Sequence, residues 1–415
     1  MSDGAARRSV LWLIDLQPRF GLQQGAALRW FNLSRELVSR GHRVCFSVNQ
    51  DDPIEASAKR AFLEQAHLAG RLSAVVETRY GAPTLRRKVA HVLAHPHLTN
   101  FVLSPFQKAT EASVLSTIAL HEVDTVVVTD RRFLFLVPRL RSRLPVVIDW
   151  SDSSTLHQWR QARSHVRQGA LHRIPGSIKR LVQAFIQEAY YGRCSTTNLA
   201  VSPADLEAIN HLTGRPAAGR LLLNGVTTGS PPDRSGRLAS RLVFTGAMDF
   251  PPNYEGAIWF IDHVLPLVVA HRPDTTLVVA GRDPVRKLQD RARPGVAITG
   301  AVPDLQAVIA QGGLYVAPLV SGSGFKNKVV EAIAAGSFLA GTSMAVEFLP
   351  PAFREQLLVG DTPKDLAARV LTFLENPAPF EARLPALMKT VAEEYSWTHR
   401  ADEFLEILNE GMGRS

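Results

Sequence analysis

The first apolar run, "VLWLIDL" (10–16), is continuous and not alternating, as in a strand covered on both faces. Next comes "GLQQGAALRWFNLSRELVSRGHRVCFSV", which reads as a Gly-rich loop, an amphipathic helix, a stop at Gly41 and a second strand. Further strands are predicted at 73–78, 125–130, 145–150 and 197–202, and helical stretches separate most of them. Strands that alternate with helices predict a parallel α/β sheet. Residues 203–240 interrupt the pattern. They are rich in Gly, Pro and Ser and read as a linker region around one short strand. The alternation then restarts, with strands at 241–248, 274–281, 296–299, 313–318 and 337–341, a helix over 254–271, and a last helix over 393–412. Two successive doubly wound halves are expected.

Composition fits that division. A chain of 415 residues, 46% hydrophobic and 20% charged, is natural for two globular domains. No apolar run approaches the roughly 18 residues of a membrane span. The N-terminal apolar run is interrupted by Asp15 and lacks a small-residue cleavage site, so it reads as a strand and not a signal peptide. The two cysteines, Cys45 and Cys194, lie in apolar surroundings without metal spacing, which fits a reducing cytoplasm.

Charge changes the picture more. The net charge is +9, yet residues 1–213 hold 27 Lys and Arg against 17 Asp and Glu, and the remainder 20 against 21. The first half therefore expects an anionic partner: a phospholipid surface, a lipid phosphate or an acidic saccharide. Nucleic acid is not expected, because no stacking set of aromatics interleaves the cations and no nucleic-acid motif occurs. Residues 153–187 contain no acid, but carry Trp159, Arg160, Arg163, Arg167 and three further cations. They read as a membrane-surface or anionic-acceptor patch, with a solvated helical face as the alternative.

Motifs exclude several chemistries. A dinucleotide dehydrogenase needs G-x-G-x-x-G after its first strand, and "QPRFGLQQG" does not match. The patterns G-x-x-x-x-G-K-[ST], G-x-S-x-G and H-E-x-x-H are missing as well. No D-x-D pair is present to hold a divalent metal, "DWSD" (149–152) has the wrong spacing, and the 13 histidines do not cluster. Neither a metal nor another cofactor is expected.

What remains is "SGSGFKNKVVEAIAAG" (321–336), just past the carboxyl end of the strand "GLYVAP", where open α/β sheets bind ligands. Its Gly and Ser residues can aim backbone N–H groups at a phosphate, and a helix N-terminus follows. Lys326 and Lys328 add positive charge, and Glu331 shares a helix face with Asn327. A carboxylate so placed could accept hydrogen bonds from both hydroxyls of a ribose. The alternative is an ordinary helix start, capped by Ser323 or Asn327, with Glu331 and Lys328 as a helical ion pair.

These segments, with "SRGHRVCFSV", "VSPADLEAI", "LLLNGV", "VFTGAMDFPPN", "LVVAGRDP", "GAVPDL", "YVAPL" and "YSWTHRADEF" in this order, resemble the GT-B-fold nucleotide-sugar glycosyltransferases of family 4, and in particular a bacterial exopolysaccharide-type subgroup. The resemblance implies a GT-B fold: two Rossmann-like domains facing across a cleft, at 1–213 (acceptor side) and 214–391 (nucleotide sugar), and a crossing helix at 392–415. It implies transfer of a sugar from a nucleotide-diphosphate sugar to a saccharide or lipid-linked acceptor, with retention. The missing D-x-D pair and the lysine-bearing loop lead to an expectation of metal-free catalysis, and the basic first half to a cytoplasmic protein that can sit peripherally at the inner membrane face. A sugar-nucleotide epimerase and a non-catalytic saccharide binder are the alternatives.

Glu331 matches the second acid of the family's E-x7-E motif, which binds the donor ribose; Ser323 stands where the first acid is expected. Ser323, Gly324, Phe325, Lys326, Asn327, Lys328 and Glu331 are thus expected around the donor, together with Gly25, Gly246 and Arg282 from three other loops. Arg282 and the lysines would replace the Arg and Lys that many members place after strand 241–248. Asp149 and Asp152 are candidates for acceptor contact or a base, with a cap role as the alternative, and Arg29 for acceptor or phosphate, with a solvated face as the alternative. Asn253 joins Gly246 at the strand end of the second domain, with a plain turn as the alternative, and Trp397 is expected in core packing.

Overall fold

The computed structural model describes residues 7–14, 25–50, 74–77, 104–167, 174–227 and 233–412. Its first sheet contains β1 (Ser9–Ile14), β2 (Arg43–Gln50), β3 (Ala74–Glu77), β4 (Thr125–Val128), β5 (Val146–Asp149), β6 (Thr197–Ala200) and β7 (Gly219–Leu221). The strands lie in the order β3-β2-β1-β4-β5-β6-β7, and all neighbours are parallel. The second sheet contains β8 (Leu238–Thr245), β9 (Thr276–Ala280), β10 (Val296–Gly300), β11 (Gly312–Ala317), β12 (Phe338–Gly341) and β13 (Leu358–Val359), in the order β10-β9-β8-β11-β12-β13, again all parallel. The continuous apolar runs are explained by burial on both faces: every residue of β1, β4, β5, β6, β11 and β12 is buried.

Each sheet reverses its winding once, between β1 and β4 and between β8 and β11. At such a switch point the connections leave in opposite directions and open a crevice at the carboxyl ends of the strands. Helix α1 (Gly25–Ser39) joins β1 to β2, and α2 (Ser154–Arg167) and α3 (Ile174–Cys194) join β5 to β6.

Residues 203–213 are not linker but helix α4 (Pro203–Thr213). Ser202 caps it by accepting from the Asp205 N–H, Pro203 opens it, and Gly214 closes it in the left-handed region at φ +63°. The turn residues that suggested a linker are the two caps. The chain divides into compact units at Leu223/Asn224, ten residues beyond the expected 213/214, because β7 completes the first sheet. Unit 1 is Met1–Leu223 with Arg400–Ser415, and unit 2 is Asn224–His399. In unit 2, α5 (Pro251–Trp259) runs into a π turn at Phe260–Val264 and a last turn at Leu265–Val269. Pro266 has no N–H to give residue 262, which widens the helix there. Unit 2 also contains α6 (Asn327–Ala334), and the terminal helix is α7 (Trp397–Met412). Trp397 is buried, as expected of core, with its ring against Gly225; a Cβ on that glycine would lie 2.5 Å from the ring.

Candidate functional site in the second unit

The switch point of the second sheet brings two loops together: the one after β8 and the one between β11 and α6. The β8 loop is held by Gly246 N–H to Ala280 C=O (3.1 Å) and Met248 N–H to Arg282 C=O (2.8 Å). Gly281 lies so close that a Cβ there would run into the Gly246 carbonyl, and its φ of +151° also excludes one. Asn253, buried at the start of α5, donates to the Ala247 carbonyl (2.9 Å) and accepts from the Lys328 ammonium. A Cβ on Gly246 would sit 2.7 Å from Asn253 and 2.8 Å from Lys328 Nζ. Gly246, Asn253 and Lys328 thus form one cluster.

The β11–α6 loop turns through Gly322 (φ +112°) and Gly324 (φ +79°). Lys326 folds back into it, donating to the carbonyls of Ser323 (2.8 Å) and Gly324 (2.7 Å) with Glu347 at 3.8 Å. Lys326 is therefore a buried internal clamp. Phe325 packs 4.3 Å from the Phe348 ring and 6.2 Å from that of Tyr395, which anchors the loop to the core. Asn327 accepts from Asn224 (3.0 Å). Neither Ser323 nor Asn327 holds the N-cap position: Lys326 does, and its side chain makes no capping bond. The first-turn N–H groups of α6 lack the usual side-chain partner, and the helix dipole adds partial positive charge there.

Lys328 and Glu331 carry the electrostatics. Burial pushes the Lys328 ammonium down to about 7; Glu331 opposes the shift and Lys326 adds to it. The ammonium stands 4.8 Å above the Phe244 ring. Burial pushes the Glu331 carboxyl up, with Lys328 opposing. The expected helical ion pair does not close, because Lys328 donates to Asn253 instead. Glu331 stays partly exposed on the α6 face that follows the loop.

Arg282 is directed elsewhere: it pairs with Asp283 (2.6 Å) and Asp249 (3.5 Å). In the first unit, Gly25 is the first residue of α1, and the Gly-rich loop before it lies outside the described residues. Asp149 is buried and held by Arg29 Nε at 2.6 Å, with both side chains at 2% exposure or less. A general base must reach solvent or substrate, so Asp149 acts here as the carboxylate that fixes the start of α1. Asp152 is partly exposed just past β5. Only a small pocket of about 10 Å³ lies beside them, lined by Thr129, Asp130, Arg131, Asp149 and Trp150. Asn224 and Phe244 lie within the segments "LLLNGV" and "VFTGAMDFPPN", but neither is expected at the site from the sequence. They act through their neighbours, Asn327 and Lys328, which no spacing along the chain indicates.

Residues 239–376 match the family model described as Glycosyl transferases group 1; the match runs from β8 to the end of the helix Pro363–Glu375 and contains both loops of this site, while Asn224 and Tyr395 lie outside it. An uncharacterized 44.6 kDa protein in the cps region of Klebsiella pneumoniae is 24% identical over 144 residues, covering 32% of this chain and 37% of that protein. Among solved structures, Anabaena Alr3699/HepE in complex with UDP superposes with a TM-score of 0.68 at 17% identity, over 97% of this chain and 100% of that one. Sucrose-phosphate synthase from Thermosynechococcus elongatus gives 0.67 at 13% identity, over 99% and 100%. At these identities the likeness is one of fold. Residues 239–376 thus resemble the group 1 glycosyltransferases, and the two parallel sheets share the fold of these solved structures.

Proposed function

We propose that the protein transfers a sugar from a nucleotide-diphosphate sugar to a saccharide or lipid-linked acceptor, with retention and without a metal ion. The observation that carries this reading is the uncapped N-terminus of α6, flanked by Lys328 and Glu331 at the switch point of the second sheet. The diphosphate would lie on the loop and the helix start, where backbone N–H groups and the dipole favour an anion. Lys328 would stand where the leaving diphosphate gains charge, and a preorganised cation in a dry site stabilises that charge strongly. Glu331 would accept the ribose hydroxyls. UDP is the nucleotide to test first, since Alr3699/HepE was solved with it.

The test is nucleotide binding by Glu331→Gln. Losing one charged hydrogen bond should weaken UDP or GDP, whichever the native chain binds, by about 1–3 kcal/mol. Unchanged affinity in a folded variant removes Glu331 from the site. Turnover separates the alternatives. A transferase releases nucleoside diphosphate only with acceptor, an epimerase isomerises the sugar nucleotide alone, and a binder does neither.

Metal independence rests on the missing D-x-D pair and on lysine at the loop. Among the described residues no three His, Cys, Asp or Glu side chains gather as metal ligands. Activity should survive EDTA. Loss with chelator that Mg²⁺ or Mn²⁺ restores would overturn this part.

A further inference from the structure

Helices α2 and α3 pack as an antiparallel hairpin: Arg180 donates to Gln158 (3.0 Å), and His165 meets Ser177 (3.2 Å). The inner side of α3 is unusually polar. Ser177, Gln187 and Glu188 are buried there beside Ala184 and Tyr191. Glu188, fully buried, accepts from Ser153 Oγ (2.9 Å) and Ser154 N–H (2.7 Å) and so ties α3 to the start of α2. The outer side is the apolar one. Ile178, Val182 and Phe185 recur at helical spacing and are each 50–51% exposed, and Trp159 on α2 is 52% exposed. A water-facing helix ordinarily shows the reverse pattern. An exposed apolar stripe of this kind marks an interaction site.

Charge indicates the partner. Arg163, Lys179 and Arg180 are exposed on the same two helices, and residues 153–187 contain no acid at all. A protein partner with an apolar face would not require the exclusion of every carboxylate, whereas an anionic lipid surface repels each one. No helix among the described residues is long and apolar enough to cross a membrane, so this hairpin would lie on the surface.

We propose that the α2–α3 hairpin docks on anionic phospholipid, with Trp159, Ile178, Val182 and Phe185 entering the headgroup–acyl boundary and Arg163, Lys179 and Arg180 pairing with lipid phosphates. This goes beyond sugar transfer and is measured without nucleotide, so either reading can fail alone.

The experiment is vesicle co-sedimentation of the full chain with phosphatidylcholine vesicles and with vesicles containing phosphatidylglycerol, at low and high salt. Tryptophan emission is followed in parallel. Trp159 is the most exposed of the six tryptophans, so insertion should shift emission to the blue, and the shift should vanish in Trp159→Phe. Binding should require the anionic lipid and weaken with salt. Arg163→Gln with Lys179→Gln should reduce it about 25-fold, at about fivefold per cation. Ile178→Ser with Phe185→Ser should reduce it about as much and leave nucleotide affinity unchanged, which controls for folding. Three results would overturn the proposal: no binding to anionic vesicles at low salt, binding without a Trp159 shift, or a concentration-dependent dimer that buries Trp159 in the absence of lipid.

Discussion

Asp149→Asn is expected to destabilise the first unit by about 3–5 kcal/mol, because it leaves a buried guanidinium without its counter-charge. The Arg29–Asp149 pair is 2.6 Å long and almost fully excluded from solvent. Asp149 also accepts from Ser151 N–H (3.1 Å), a residue in the left-handed region at φ +58°, and Arg29 donates to the Leu223 carbonyl (3.1 Å), the last residue of the unit's main segment. One ion pair thus ties the start of α1, the turn after β5 and the chain's exit from the unit. Asn keeps the shape and can still accept from Ser151, so the loss reports the charge. Arg29→Met should cost a similar amount from the other side, and the double variant should lose less than the sum of the two. Chemical denaturation of the full chain measures this, in the transition that belongs to unit 1. A shift below about 1 kcal/mol in both single variants would mean that water or another group compensates the isolated charge.

The sequence made most of this architecture legible because the strands are apolar runs that stand out against amphipathic helices. β1, β4, β5 and β11 fall where the runs do. β13 did not, since two residues, Leu358–Val359, are too few to show a period. α4 was hidden by its own caps: Ser202, Pro203 and Gly214 are turn residues in composition and helix punctuation in position. At the candidate site the residue identities were readable and their roles were not. Lys326 and Lys328 look equivalent along the chain, yet one ammonium clamps two loop carbonyls and the other bonds Asn253 above Phe244. Lys326 turns back to carbonyls two and three residues away, whereas the Lys328 bond reaches Asn253, 75 residues away in sequence, which no local spacing records. Phe325 and Arg282 were misplaced by direction and not by distance along the chain: Phe325 turns onto the Phe348 ring, and Arg282 turns to its neighbour Asp283 and to Asp249. Charge asymmetry survived translation into structure better, because an acid-free stretch stays acid-free however it folds.

Lys328→Met is expected to lower turnover by about 10²–10³, the usual cost of removing one group that stabilises developing charge. The pH dependence is the sharper signature. With its ammonium pushed down to about 7, Lys328 is charged below that pH and largely neutral above it in the ligand-free protein. Diphosphate affinity should therefore fall as pH rises through about 7. On the acid side Glu331, whose carboxyl is pushed up, must first ionise to accept the ribose hydroxyls, so affinity should rise before it falls. Lys328→Arg stays protonated and should flatten the alkaline limb. A bound diphosphate restores the ammonium, so binding at pH 8 should take up a proton. Calorimetry in buffers of different ionisation enthalpy reads that proton directly. The linkage also has a sign for stability. Between about 7 and the unfolded value of 10.5 the unfolded chain holds the proton that the folded chain has released. The ligand-free protein should therefore gain stability from this group as pH rises through that window, and Lys328→Met should remove the gain. A pH-independent affinity in the wild type, with no proton uptake at pH 8, would show that Lys328 does not face the diphosphate.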